Sequence, residues 1–234
     1  MNLPELRQYL DRFMANLATN DRAILDARLQ SLASVFPFSE YEYILMFLLQ
    51  KGVIKFEEYE RLRDNYVSSN KYLALYELAP RTFGEIWGQP HVMDLDTRFK
   101  KPSVKLDPNF QGEYDLWLEG KKVEVKACRA INTKKRAGLS SKALRFDSSE
   151  PFWMNFQQLK FDICDAFVFI GVWVDRIVYW VLSNNEAKSN PKSSHQHRGG
   201  VEFQIGITNR NISSFEPFRT EPSEIANKIL SISN

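Results

Sequence analysis

Residues 114–118 and 122–127 alternate apolar and polar side chains on either side of Glu119-Gly120, a pattern that suits a β-hairpin with a tight turn. With Glu119-Gly120 as a two-residue turn, Leu118 pairs with Lys121, and Asp115 falls directly across from Glu124. One face then carries Glu113, Asp115, Trp117, Lys122, Glu124, Lys126 and Cys128, and the other Tyr114, Leu116, Leu118, Val123, Val125 and Ala127. The second face is expected to be core. On the first, two carboxylates oppose each other with Cβ atoms about 5 Å apart, which is destabilising unless something positive lies between them. A hard divalent cation such as Mg²⁺ meets that need, and Lys126 on the same face can point at a phosphate or a water. A one-residue slip in register would take Asp115 off the face of Glu124, and the apolar alternation opposes that slip.

Around this hairpin the chain changes character along its length. Leu6, Leu10, Phe13, Met14 and Leu17 recur at three-to-four spacing, and residues 41–50 and 56–67 repeat that period, with Lys51-Gly52-Val53 as a helix stop between them. Residues 1–79 are therefore expected to form a helical region serving as scaffold, dimerisation surface or auxiliary DNA contact. Residues 82–87 read as a short helix carrying Glu85. Residues 166–174 and 177–182 read as strands, as does the segment from 201 to 207, while 223–230 reads as a closing helix. Phe152, Phe156, Leu159 and Ile163 share one helical face, so a helix is expected over 152–164. That order predicts a mixed α/β sheet flanked by helices within residues 80–234.

The formal charge of +2 is unevenly spread. Residues 1–79 hold nine Lys/Arg against eleven Asp/Glu, net −2, whereas residues 121–145 hold nine Lys/Arg against Glu124 alone, net +8. A local excess of that size suits a polyanion, and nucleic acid is the usual one. Two cysteines without CxxC spacing, Cys128 and Cys164, argue against a structural zinc and are expected to be reduced packing residues. The longest apolar run, 43–49, falls far short of the roughly 20 residues of a membrane helix. The first residues lack a basic segment followed by an apolar one, so no signal peptide and a cytoplasmic location are expected.

Asp115, eight intervening residues, then Glu124-Val125-Lys126 resembles the PD-(D/E)XK nuclease superfamily, which includes most type II restriction endonucleases. The expected order of helix with Glu85, hairpin, helix 152–164 and strand 166–174 is similar to that family's core, and the resemblance covers roughly residues 80–182. Tyr114 stands where the motif's name has proline. The resemblance implies a restriction-endonuclease-like fold and Mg²⁺ held by Asp115, Glu124 and the Val125 carbonyl. Lys126 would orient the attacking water, and Glu85 would complete a second metal site. It further implies hydrolysis of double-stranded DNA to 5′-phosphate and 3′-hydroxyl ends, a homodimer that cuts both strands, and a cognate DNA methyltransferase encoded nearby. Gln157, Gln158 and Lys160 would lie on the helix after the motif, near the site.

Base recognition needs paired donors and acceptors. Residues 183–200 hold no large apolar side chain and include Asn184, Asn185, Lys188, Asn190, Lys192, His195, Gln196, His197 and Arg198, so they are the expected recognition loop. His195 and His197 could alternatively bind metal, although no Cys or carboxylate cluster accompanies them. Arg129, Lys134, Lys135 and Arg136 are expected on phosphates. Two rivals share these features: a repair or junction-cleaving nuclease, and a non-catalytic DNA-binding regulator that reads with the N-terminal helices.

Overall fold

The computed structural model describes residues 3–31, 37–80, 82–195 and 202–233. Four helices come first, α1 (Leu3–Met14), α2 (Thr19–Ser31), α3 (Pro37–Gln50) and α4 (Phe56–Ser69), followed by a 3₁₀ turn at Leu73–Glu77. Gly52, at φ 69°, breaks the chain between α3 and α4 where an L side chain would be strained. A π-helical turn at Gly84–Gly88 runs into α5 (Gln89–Leu95), about two turns longer than the helix expected over 82–87.

Strands β1 (Leu116–Leu118), β2 (Lys121–Arg129), β4 (Ala166–Val172), β5 (Ile177–Ser183) and β8 (Arg219–Thr220) form a five-stranded sheet in the order β1-β2-β4-β5-β8. Within it β2 and β4 are parallel and the other pairs antiparallel. Strands β3 (Trp153–Leu159), β7 (Phe203–Thr208) and β6 (Ser193–His195) make a second, antiparallel sheet in that order. Helices α6 (Asn184–Lys188) and α7 (Ile225–Leu230) complete the fold. No described helix is long and apolar enough to cross a membrane.

The five-stranded sheet is covered on both faces, and β4 shows how. Val168, Ile170 and Val172 join one apolar cluster with Leu6, Leu10, Ile44, Leu45 and Leu62 of the N-terminal helices. Phe167 and Phe169 join another with Met154, Phe156, Ile205 and Ile207 of the small sheet. Every residue of β4 is buried, which explains its unbroken apolar run. The helical region is thus a layer on the sheet: the Tyr76 hydroxyl donates to the Val172 and Ala130 carbonyls at 2.7 and 3.1 Å, and the Tyr72 amide to Val174 at 2.9 Å.

The architecture is mixed α/β, with a mixed sheet and flanking helices, as the element order predicts. One expected element is corrected. Residues 152–164 form no helix; they give β3 followed by turns. Phe152, Met154 and Phe156 are buried in alternation, and a register shift between Phe156 and Leu159 returns Leu159 to the core. That extra residue converts a period of two into spacings of four and three, which imitate a helix. The crossover between the parallel strands β2 and β4 therefore carries a strand of the second sheet rather than the usual helix.

Residues 183–200 also depart from a structureless loop. Ser183 caps α6 by accepting from the Glu186 amide, while the Glu186 carboxylate accepts from the Ser183 amide at 2.7 Å, and Ala187 is buried. Ser193–His195 then pairs with β7.

Candidate active site

Glu119 and Gly120 both adopt positive φ, 45° and 96°, as the two-residue turns that match strand twist require. The resulting register is Leu116 with Val123, Trp117 with Lys122 and Leu118 with Lys121. The regular register ends there, and the Asp115 amide donates at 3.1 Å to the carbonyl of Val123, the partner of Leu116, so Asp115 stands beside the start of β1 next to Val125 and near Glu124, rather than in regular pairing with Glu124 as the alternation predicts. Tyr114 is the exception to the expected faces. Its ring joins the cluster under the small sheet, and its hydroxyl donates to Asp107 at 3.1 Å, because regular pairing ends at Leu116, two residues short of it.

The Asp115 carboxylate is held at both oxygens. Oδ2 accepts from the Val125 amide at 2.8 Å, and Oδ1 accepts from Gln89 Nε2 at 2.7 Å. Gln89 is itself held by Lys101, whose Nζ donates to Oε1 at 3.1 Å. Gln89 reaches the hairpin because the preceding glycine lets α5 approach β2 closely: a Cβ on Gly88 would lie 3.0 Å from Ala127 Cβ.

Glu124 is only 2% exposed, on the side of β2 facing the small sheet. Lys126 Nζ lies 2.5 Å from its Oε1, and the Cys164 thiol donates to Oε2 at 3.6 Å. Lys122 is turned away to Asp107 at 3.0 Å, and Lys160 Nζ donates to the Glu113 carbonyl at 2.8 Å. Burial raises the Asp115 pKa above the ordinary carboxylate range, with Lys126, the Val125 amide, Lys160 and Lys101 pulling it back. Burial likewise raises Glu124, Lys126 opposes, and the Asp115 charge raises it further. Two crowded acids, both pushed toward neutrality, are what a site short of positive charge looks like. Burial and the Glu124 charge also push up the Cys164 thiol, and burial takes Cys128 to about 12, so both free cysteines stay protonated.

Asp115, Val125 and Lys126 open onto a cleft of about 1040 Å³. Glu85 lines the same cleft and is exposed, yet among the described residues no three His, Cys, Asp or Glu side chains gather as a cluster. The cleft therefore holds the Asp115 and Glu85 carboxylates and the Lys126 ammonium, while Glu124 is buried and paired with Lys126 rather than part of the lining. Such a set suits a divalent cation, whose charge would relieve both raised pKa values.

The basic segment does not form one stripe. Arg129, expected on phosphate, is 8% exposed, donates from Nη1 to the Leu75 and Leu78 carbonyls at 2.8 and 2.7 Å, and lies 4.3 Å over the Phe83 ring. Arg145 pairs with Asp147 at 3.1 Å and lies 3.7 Å from Asp175. Lys134, Lys135 and Arg136 remain exposed, with Lys134 3.5 Å from Glu150. Of the expected recognition residues, Asn184 turns inward, its Nδ2 donating to the Phe161 and Cys164 carbonyls. Lys188 is exposed 3.9 Å from Asp162, and the exposed His195 ring lies 4.3 Å from that of Phe203. Gln196, His197 and Arg198 lie outside the described residues. Gln157 and Gln158 do line the cleft, delivered by the β3 bulge rather than by a helix.

Gln89, Lys101, Asn155 and Gln204 line the cleft without having stood out in the sequence. They arrive from four separate segments, and only packing brings them together. Comparison with known proteins returns no matching family model, curated relative or solved structure.

Proposed function

We propose that the chain is a magnesium-dependent nuclease acting on double-stranded DNA, and specifically a type II restriction endonuclease. The observation that carries this is the hairpin that puts Asp115, whose Oδ2 accepts from the Val125 amide at 2.8 Å, next to Glu124-Val125-Lys126, with Lys126 Nζ 2.5 Å from the Glu124 carboxylate. Asp115, Glu124 and the Val125 carbonyl would hold Mg²⁺, with Glu85 available from the cleft wall. Bound there, the metal would lower the pKa of water and neutralise charge building on the phosphoryl oxygens.

The protein's own groups do the rest. Val125 and Gln89 fix both oxygens of Asp115, so little reorganisation is needed on binding. Lys126 carries a positive charge into the cleft, where it orients the attacking water and stabilises the phosphate. Its ion pair with Glu124 keeps that charge in place before substrate arrives. The products would be a 5′-phosphate and a 3′-hydroxyl. Cutting both strands calls for a homodimer, and the host chromosome, in the same cytoplasm, would need a cognate methyltransferase for protection.

Supercoiled plasmid incubated with the protein and Mg²⁺ should give discrete fragments, and Glu124→Ala should abolish them without changing the melting temperature. Smeared or junction-specific products would favour a repair nuclease. DNA binding with no cleavage under any divalent metal would favour a regulator and end the proposal.

A further inference from the structure

Part of the lining of the cleft that Asp115 opens onto is made of carboxamides. Asn155, Gln157 and Gln158 on β3 and Gln204 on β7 all line it. Register puts them on the outward side of the small sheet: Trp153 opposes Thr208, Asn155 opposes Gly206 and Ser194 opposes Gln204, while Met154, Phe156, Ile205 and Ile207 face the core. Among the described strand residues of that outward side, Trp153, Asn155, Gln157, Ser194, Gln204 and Thr208, none is charged. Thr is enriched in strands whereas Asn is depleted there, so amides gathered on a strand face are not what strand propensity alone selects.

The amides are also ordered. Asn155 Nδ2 donates to Gln204 Oε1 at 3.0 Å, and Gln204 Nε2 donates to Ser194 Oγ at 3.4 Å. Each amide then keeps a second N–H, and Asn155 keeps its carbonyl oxygen, for a ligand. At the bulge Gln158 is held at φ 58°, an uncommon conformation for a side chain of that size, and Gln157 and Gln158 both turn outward in consequence. Strain of that kind is characteristic of functional sites. Next to them Trp153 stays 53% exposed, its indole laid over Gly206, where a Cβ would come within 3.0 Å of Nε1.

Phosphate would call for Lys or Arg on this wall. Fixed, uncharged groups offering a donor and an acceptor side by side fit a nucleobase edge, and Asn or Gln matches adenine N6 and N7 in two hydrogen bonds. We infer that the outward side of the β3-β7-β6 sheet, centred on Gln157, Gln204 and Asn155, is the base-reading surface of this protein and selects adenine. This deepens the nuclease reading and rests on it, because it centres sequence selection on β3 and β7, in the cleft that Asp115 and Lys126 also line, rather than on the polar side chains of residues 183–200.

Selection from a randomised duplex library tests it, with Ca²⁺ replacing Mg²⁺ and sequencing of the bound pool as the readout. Wild type should enrich a motif containing adenine. Gln157→Ala and Gln204→Ala should each lower discrimination at one motif position by about tenfold or more, with affinity for the motif falling in step and preference at the other positions kept. Gln157→Glu should move the preference at its position from adenine toward cytosine, whose N4 amino group a carboxylate accepts. An unenriched wild-type pool, or variants that enrich the unchanged motif, would overturn the inference. Cleavage is scored separately with Mg²⁺: an enriched motif without cutting defeats the nuclease reading alone, and cutting without altered preference defeats this one alone.

Discussion

Strand β2 buries two charged side chains five residues apart, and they are satisfied in opposite ways. Arg129, at one end, gives its guanidinium to two main-chain carbonyls that cannot titrate, and an aromatic ring covers it. Glu124, near the middle, is met among the described residues by the Lys126 ammonium and the Cys164 thiol, both on side chains that can move away. A charge anchored to backbone is structural, since removing it leaves acceptors buried without donors. A buried charge held by mobile side chains costs stability that main-chain anchoring would spare.

The largest difference should appear in activity. Glu124→Gln should lower Mg²⁺-dependent cleavage by about a thousandfold or more and leave the melting temperature unchanged or raised, because it removes a crowded buried charge. Measured by plasmid cleavage and thermal melting, a loss of stability matching the loss of cutting would erase the contrast with Arg129. Arg129→Ala should do the reverse, lowering unfolding free energy by about 3 kcal/mol in a denaturant titration while the folded fraction keeps cutting.

Gln89 sharpens the comparison further. Its amide supports the ionised form of Asp115, so Gln89→Ala should reduce cleavage by about tenfold to a hundredfold and move the acid limb of the pH–rate profile to higher pH. A reduced rate with an unmoved limb would make Gln89 a packing residue only.

The hairpin was legible in the sequence because two independent constraints agreed: a turn able to take positive φ at Glu119 and Gly120, and apolar alternation that punishes a slip. β4 and β5 were legible as apolar runs. β3 was not, since its bulge reproduces helical spacing in Phe152, Phe156, Leu159 and Ile163, and Met154 was the residue that the helical face left out. Helix α6 had a readable signature in Ser183 and Glu186, hidden by the absence of large apolar residues around it. Asn184 read as a base contact because an inward amide and an outward one look alike until the Phe161 and Cys164 carbonyls are placed. Gln89 and Gln204 had no local signal, because what they touch is decided by the close approach at Gly88 and by strand pairing to Ser194.

A smaller effect concerns pH and stability without metal. Asp115 and Glu124 have folded-state pKa values above their unfolded ones, so both contribute most to stability while protonated, below the ordinary carboxylate range. That contribution is lost as pH rises through the raised values. In EDTA, unfolding free energy should therefore decline across that window, and Asp115→Asn should flatten the decline. A wild-type profile with no decline there would mean that the site is not short of positive charge.

The most direct test of the central claim, that Asp115 and Glu124 work as one unit, is a double-mutant cycle on the Mg²⁺-dependent cleavage rate with Asp115→Asn and Glu124→Gln. If both acids serve one metal site, the double variant loses about as much as either single variant. Losses that multiply, or a single variant that cuts at the wild-type rate, would contradict the account.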